Sequence, residues 1–430
     1  MRGAGGRRLA AMIDRPHRSG HQLTLLKGGA ALFPSMIEAI SQARTEVLLE
    51  SYIFEFEGTV LGVASALEAA AQRGVAVRVV VDGIGTGPLP ALWSERWQAA
   101  GVQWHVYNPA RGWRLLMPKG WRRLHRKLCV VDARIAFCGG VNLLDDYFDP
   151  YHGVLKEPRL DFAVRAAGPL VADVHDTMTR LWRRLQITRE ASQHDLDAAV
   201  VAVRDAARAG LDIGNVASQL DTLAPDAAAP DAPQPPGALA QLVLRDNVRF
   251  RRSIEGMYRM AIAQARHEVL IANAYFIPGV QLQRALLRAA RRGVRITLLL
   301  QGRYEYFMHY HASRAVYGML LDAGIEIVEY ESSFLHAKVA VMDGPQGALS
   351  TVGSSNLDPL SLLLAREANV FVRDDAFAAE LRAHLMEAMQ THGRRIDVAV
   401  HTRRPRTARL LNWIAYGLMR IALLVTRHRY

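Results

Sequence analysis

From Ala69 to Gly83 the chain reads AAAQRGVAVRVVVDG: small residues of helical composition run up to Arg73-Gly74, and an unbroken apolar, β-branched run follows. Glycine supplies the helix stop and valine the buried strand. The same order returns from Arg288 to Gly302 as RAARRGVRITLLLQG. Upstream of these, SQARTEVLLESYIF (Ser41–Phe54) is answered by AQARHEVLIANAYF (Ala263–Phe276), so the hydrophobic pattern is written twice. Strand and helix alternate in each copy, which predicts an α/β layer sheet in each half.

A divider lies between the copies. DTLAPDAAAPDAPQPPG (Asp221–Gly237) is built almost wholly of Ala, Pro and Asp, which neither forms a core nor sustains a helix, and it reads as a semi-extended linker. The preceding stretch, Ile187–Leu220, has helical composition and no recognisable chemistry. At 430 residues the chain exceeds what one core sustains, roughly 250–300 residues. The expected organisation is a basic tail (1–20), a first domain (21–186), a helical segment with the linker (187–238), a second domain (239–400) and a basic amphipathic C-terminal segment (401–430).

Charge adds a partner class. The formal net charge is +12, with 53 Lys and Arg against 41 Asp and Glu. Such an excess suits an anionic partner, either nucleic acid or an anionic membrane surface. No stretch has eighteen or more consecutive apolar residues, so no bilayer-spanning helix is expected. The first twenty residues are basic without an apolar core segment, unlike a secretory signal, and the expectation is a cytoplasmic protein. Cys129 and Cys138 form neither a disulfide framework nor a metal-site spacing, and read as buried thiols.

The chemistry sits in a second duplication. LHRKLCVVD (Leu124–Asp132) recurs as LHAKVAVMD (Leu335–Asp343), with His125, Lys127 and Asp132 each 211 residues before His336, Lys338 and Asp343. Small-residue turns follow both copies and end in Asn142 (CGGVN) and Asn356 (VGSSN). In a strand, residues two apart share a face, so His and Lys of each motif project together. Lysine is scarce here: it occurs only at positions 27, 119, 127, 156 and 338, in a chain that otherwise writes arginine. The motif therefore calls for a compact ammonium rather than a planar fork.

Two His, two Lys and two Asn related by a pseudo-twofold axis suit a phosphodiester if the halves pack face to face. One imidazole attacks phosphorus while the other protonates the leaving oxygen, and Lys127, Asn142, Lys338 and Asn356 hold the non-bridging oxygens. An attacking imidazole needs a carboxylate on its other nitrogen. Asp161 in RLDFAVRA and Glu367 in AREANVFV are the candidates. Asp132 and Asp343 complete the motif, and their position at a strand end suits turn and framework better than direct chemistry. No metal or cofactor is needed, because the lysines supply the charge.

These motifs resemble the phospholipase D superfamily, whose signature is a duplicated His-x-Lys-x4-Asp followed by a Gly/Ser turn and Asn. The strings LLESYIF, AAAQRGVAVRVVVDG, RIAFCGGVNL, IANAYFIPG and TVGSSNLDPLSLLLAREANV are most similar to the B-type bacterial cardiolipin synthases. The resemblance implies two duplicated α/β/α sandwich domains packed around a pseudo-twofold axis. It implies His125, Lys127, Asp132, His336, Lys338 and Asp343 as the catalytic set, with His125 as nucleophile and His336 as acid and then base. The implied activity is transfer of a phosphatidyl group from a phospholipid such as phosphatidylglycerol to the glycerol hydroxyl of another, the alternative being a phosphodiesterase or nuclease.

Other segments refine the partner. RGWRLLMPKGWRRLHRK (Arg111–Lys127) sets Trp113, Trp121 and Leu115–Met117 among basic residues, which suits lipid better than a nucleic-acid groove. DGIGTG (Asp82–Gly87) lacks the spacing of a phosphate loop and reads as a turn after a strand. His309 and His311 have no identifiable metal partners and suit the surface or an acceptor pocket. Leu410–Val425 would make a helix of about 24 Å, short of a hydrocarbon core of about 30 Å. Leu410, Leu411, Ile414, Leu418, Ile421 and Val425 recur at helical spacing while Asn412, Tyr416 and Arg420 fall elsewhere, a pattern for a helix in a membrane interface rather than one in the domain core. The expected partners are anionic phospholipids and the cytoplasmic membrane face, bound peripherally, and not nucleic acid.

Overall fold

The computed structural model describes residues 18–109, 118–149, 152–192, 237–246, 250, 252–358 and 365–425. The basic tail up to residue 17, most of the linker segment, Trp113 and Leu115–Met117 lie outside these residues.

The first half contains β1 (Arg18–Lys27), β2 (Glu46–Ser51), β3 (Ala76–Asp82), β4 (Gln103–Tyr107), β5 (Arg123–Leu124), β6 (Lys127–Val131), β7 (Ile135–Gly139) and β8 (Phe162–Ala167). Its helices are α1 (Gly28–Ser41), α2 (Leu61–Gln72), α3 (Ala91–Ala100) and α4 (Leu170–Ser192). The second half repeats the plan with β9 (Ala238–Arg245), β10 (Glu268–Asn273), β11 (Arg295–Gln301), β12 (Glu326–Tyr330), β13 (Lys338–Met342), β14 (Leu349–Gly353), β15 (Ala365–Arg373) and β16 (Gly393–Arg395). Its helices are α5 (Ser253–Gln264), α6 (Val280–Arg291), α7 (Phe307–Ala315), α8 (Tyr317–Asp322) and α9 (Asp375–His392), followed by α10 (Val398–Thr402) and α11 (Arg406–Val425). The helix stops expected from sequence are present: Gly74 and Gly293 take φ of +88° and +85°, where a side chain would be strained.

The strands form one 16-stranded sheet whose order is a near palindrome, β16-β12-β11-β10-β13-β14-β15-β9-β1-β8-β7-β6-β2-β3-β4, with β5 added beside β15. Its centre is the antiparallel contact of β1 with β9, at Arg18↔Ala240 and His21↔Ala238. Besides this shared edge the inner faces pack on each other, β15 over β7 and β8 over β14. One apolar core therefore takes Val130, Val164 and Val174 from the first half and Val339, Val370 and Leu381 from the second. The outer face of each sheet half carries its own core, around Leu67 and Trp97 in one and Leu286 and Tyr317 in the other.

The motif aspartates close these sheets. Asp132 sits at φ +51° where β6 ends. Its carboxylate accepts from Thr45 N at 2.8 Å, Glu46 N at 3.0 Å, Arg44 N at 2.9 Å and the Thr45 hydroxyl at 2.8 Å, pinning the entry to β2. Asp343 does the same for β10, accepting from Glu268 N at 2.7 Å and from the N–H groups of Arg266 and His267. Burial alone would raise the Asp132 carboxyl, but the donors of Thr45, Glu46 and Arg44 prevail and hold it at about 2.

Replacing either aspartate by asparagine is expected to lower the unfolding free energy by about 1–2 kcal/mol in urea titrations at neutral pH. For Asp132 the folded pKa lies below the unfolded value of 3.8, so its contribution is complete above that value and is lost as pH falls towards 2. The gap between wild type and Asp132→Asn should narrow below about pH 4; a gap that widens on acidification would contradict this role.

Candidate active site

The two motif histidines reach one cleft by mirrored crossings between the halves. β5 runs parallel to β15, pairing Arg123 with Ala365 and Leu124 with Arg366. His125 N then donates to Arg366 O at 3.0 Å, which sets the imidazole beside the next residue, Glu367. In the mirror arrangement Leu160 bridges Leu335 in parallel, and His336 N donates to Leu160 O at 2.9 Å, beside Asp161. The side chains complete the exchange. His125 Nδ1 meets Glu367 Oε2 at 3.1 Å, and His336 Nδ1 meets Asp161 Oδ2 at 2.6 Å. Each Nδ1 is thereby committed to a carboxylate of the opposite half, and each Nε2 is left for substrate.

Both imidazoles line a cleft of about 360 Å³, together with Asn142, Asn356 and Asp161. Lys127 and Lys338 are buried next to them, and each Nζ donates to the carbonyl of its own histidine, at 2.8 Å for Lys127. The residue between His and Lys faces away, as strand alternation requires: Arg126 is buried against Glu50 at 2.9 Å. The structure thus brings His125, Lys127, Asn142, Asp161, His336, Lys338, Asn356 and Glu367 together, while Asp132 and Asp343 act at the strand ends.

Burial and charge set the two pairs apart. Burial lowers the His125 pKa while Glu367 opposes it; burial would raise Glu367, but His125 and Lys127 hold it below the ordinary value. This pair is a carboxylate beside a neutral imidazole. In the other pair burial raises the Asp161 carboxyl to about 7, and burial together with Lys338 and Lys127 pushes His336 well below its usual value. A proton bound near neutrality belongs to that pair as a unit. Burial also lowers Lys127 to about 7 and Lys338 to about 8, against the pull of the carboxylates.

Several supporting residues were not anticipated. Asp82 Oδ2 accepts from Leu124 N at 2.8 Å, and Gln301 Oε1 accepts from Leu335 N at 2.9 Å, so each motif is fixed at the residue before its histidine. The aligned strings VVVDG and LLLQG carried that signal. Asp82 also accepts from Ile84 N at 2.8 Å, making DGIGTG the expected turn. Ser354 donates its hydroxyl to Glu367, whereas a Cβ at the equivalent Gly140 would lie 2.2 Å from Asp161 Oδ1. His309 lines the cleft with Tyr275, Glu305 and Tyr306, and His311 Nδ1 meets Asn412 Oδ1 at 2.8 Å. Trp121 lines the cleft as well.

Comparison with known proteins gives the family and the fold. A family model described as cardiolipin synthase, PLD-like domain, matches residues 36–155 and again residues 258–389. Cardiolipin synthase B of Escherichia coli strain K12 is 36% identical over 390 residues, covering 88% of this chain and 83% of that protein. Cardiolipin synthase B of Salmonella typhi is 34% identical over 396 residues, covering 90% and 85%. Among solved structures, phosphatidylserine synthase from Haemophilus influenzae Rd KW20 superposes with a TM-score of 0.67 at 13% identity, covering 97% of this chain and 98% of that one, a likeness of fold.

The lysines give the site a pH signature. An ammonium is charged below its pKa, so anion affinity should be full only well below pH 7 and decline as Lys127 at about 7 and Lys338 at about 8 lose their protons, with Asp161 at about 7 gaining charge over the same range. Sulfate, whose own charge is constant over this range, is the probe. Calorimetric titration should show binding that weakens from pH 6.5 to pH 8.5, about tenfold overall; a flat profile would mean that the lysines do not meet the anion.

Proposed function

Because the chain belongs to the phospholipase D-like cardiolipin synthase family, we propose that it is a phosphatidyltransferase that moves the phosphatidyl group of phosphatidylglycerol, or of another phospholipid donor, to a glycerol hydroxyl of a second phospholipid and releases the donor's alcohol. The observation that carries the reading is the pair of imidazoles in one cleft, each held at Nδ1 by a buried carboxylate. His125, neutral beside ionised Glu367, attacks phosphorus through Nε2. The P–O bond to the departing alcohol breaks, and the His336–Asp161 pair gives its proton to that oxygen. In the second step the acceptor hydroxyl returns a proton to His336, its oxygen bonds to phosphorus, and the P–N bond to His125 breaks. Lys127, Lys338, Asn142 and Asn356 hold the non-bridging oxygens.

A lipid surface is the natural place for this cleft. Helix α11 packs on α7 through Ala415 and Met419, which join Ile277 and Ala312 in a small core, and Asn412 is bonded to His311. Its other face is apolar and open to solvent: Leu410, Trp413, Ile414, Leu418 and Ile421 are exposed, with Leu410 at 62% and Trp413 at 60%. The helix docks on the second half by a narrow face of Asn412, Ala415 and Met419 and keeps the wide apolar one outward. Tyr304, Tyr306 and Phe307 are exposed at the start of α7, and Tyr306 also lines the cleft. No described helix is long and apolar enough to cross a membrane. In this reading α11 lies in the interface at the cytoplasmic face, with arginines such as Arg403 and Arg420 meeting anionic headgroups. Such a surface favours lipid transfer over hydrolysis of a soluble phosphodiester.

Purified protein given phosphatidylglycerol vesicles should release glycerol and form cardiolipin, resolved by lipid chromatography. With an activated-leaving-group donor, His336→Ala should accumulate acid-labile phosphohistidine and His125→Ala should not; the opposite pattern would reverse the two roles.

Replacing Leu410, Ile414, Leu418 and Ile421 together by serine should leave a folded enzyme that turns over detergent-dispersed lipid but binds anionic vesicles at least about tenfold more weakly in flotation assays, since each loses apolar burial. Unchanged flotation would remove α11 from the membrane contact.

A further inference from the structure

The cleft is asymmetric about the pseudo-twofold axis in a way the two-imidazole chemistry does not require. After β3 the chain turns at once, with Thr86 bonded back to Tyr52 O at 2.9 Å and Phe54 N at 3.0 Å. After β11 the corresponding segment instead brings Glu305 and Tyr306 into the cleft, where Tyr275 and His309 join them. Tyr275 Oη donates to Glu305 Oε2 at 2.6 Å, and the His309 ring lies 4.4 Å from the Tyr275 ring.

The other carboxylates that line the cleft are engaged elsewhere. Asp146 accepts from Gly29 N at 2.6 Å, Asp149 from Arg159 at 2.7 Å, and Asp161 holds His336. Glu305 alone among them meets only a phenol, at one oxygen, and its Oε1 takes no hydrogen bond from the described residues. Among the described residues no ion pair caps Glu305; burial raises its carboxyl while Lys338 and Arg159 act on it from a distance, and a carboxylate so placed accepts from hydroxyl groups, its two oxygens suiting the two hydroxyls of a vicinal diol. Glu305 also has a side. It is among the principal charges acting on Lys338, whereas those acting on Lys127 are Glu367, Lys338, Asp161 and Asp82. Geometry gives the same side: Ala274 N donates to Ala337 O at 3.1 Å, which sets Tyr275, and Glu305 bonded to it, beside the His336 motif.

We infer that Glu305, positioned by Tyr275 and flanked by His309, forms a polyol subsite that holds the glycerol hydroxyls of the acceptor beside His336. This inference rests on the transferase reading above. The acceptor oxygen bonds to phosphorus as the His125 P–N bond breaks and its proton passes to His336; Glu305 accepts hydrogen bonds from the neighbouring hydroxyls and takes no proton. A departing glycerol leaves from the same place, because the acid of the first step is the base of the second.

The test separates the two steps. A phosphatidyl ester of p-nitrophenol in mixed micelles reports attack by His125 as a burst of p-nitrophenol, and glycerol, 1-propanol and water then compete for the phosphoenzyme. Wild type should prefer glycerol to 1-propanol. Glu305→Ala should keep the burst, lose that preference by about tenfold or more and make more phosphatidic acid, the scale of losing hydrogen bonds to a charged acceptor. Glu305→Gln should lose part of it. Tyr275→Phe should raise the KM for glycerol while the burst rate is unchanged, as fits a positioning residue. If Glu305→Ala shows no burst, the glycerol preference of Glu305→Gln decides. A wild-type preference in both Glu305 variants overturns the subsite. Wild-type protein that gives no burst, or phosphatidic acid alone, overturns the transferase reading instead.

Discussion

Neither motif histidine takes its carboxylate from its own half. Glu367 of the second half holds His125 of the first, and Asp161 of the first holds His336 of the second. Hydrogen bonds to charged groups are worth about 1.5–3 kcal/mol, and a buried carboxylate left without its donor bears the full cost of its desolvation. The crossed pairs therefore reward correct docking of the halves and penalise any slip. A one-residue shift of β5 along β15 would turn Glu367 away from His125 and present Arg366 or Ala368 in its place. The shared core of Val130, Val164, Val339 and Val370 and the β1–β9 edge hold that register, so packing far from the cleft determines whether it can react.

Sequence made the repeat, the alternating α/β pattern, the two motifs and both orienting carboxylates readable, because each is a local string with a local period. The crossing was not readable. Asp161 follows the first motif and Glu367 the second, and a linear reading gives no reason for each to serve the other's histidine; that follows from the parallel contacts Leu124↔Arg366 and Leu160↔Leu335. Glu305 was silent for a related reason, since a single glutamate in a segment without strong periodicity acquires meaning only when Tyr275 and His309 are placed around it. The C-terminal helix was half legible. Its apolar stripe is present and outward, yet its opposite face docks through Ala415 and Met419, small or adaptable residues that pattern analysis passes over.

Burying two lysines is costly, and the structure shows what offsets it. Desolvation pulls Lys127 and Lys338 down, while Glu367 and Asp161 pull both back. The four groups balance in formal charge, and each ammonium is tied to a backbone carbonyl within its own motif. A guanidinium could not sit there in the same way, because its planar fork needs room and several acceptors where the strand offers one carbonyl. The scarcity of lysine elsewhere in the chain follows from no such constraint, since exposed positions tolerate arginine.

Duplication delivers two equal imidazoles, whereas the proposed reaction needs unequal ones, a nucleophile whose Nε2 begins without a proton and an acid whose Nε2 begins with one. The inequality is built from small departures between the repeats. The second carboxylate is a glutamate that accepts from the Ser354 hydroxyl and that His125 and Lys127 hold below its ordinary value against burial. The first is an aspartate pressed against Gly140, buried without such a hydroxyl and raised to about 7. In the proposed reaction a carboxylate that keeps its charge would stabilise a phosphorylated His125, and one near neutrality would let the His336 pair give and regain a proton at little cost. Because the alcohol must meet the proton donor on leaving and the proton acceptor on arriving, polarity that recognises hydroxyls belongs on the His336 side alone. On the proposed reading, the asymmetric wall of Tyr275, Glu305 and His309 is the spatial counterpart of the protonic asymmetry between Asp161 and Glu367.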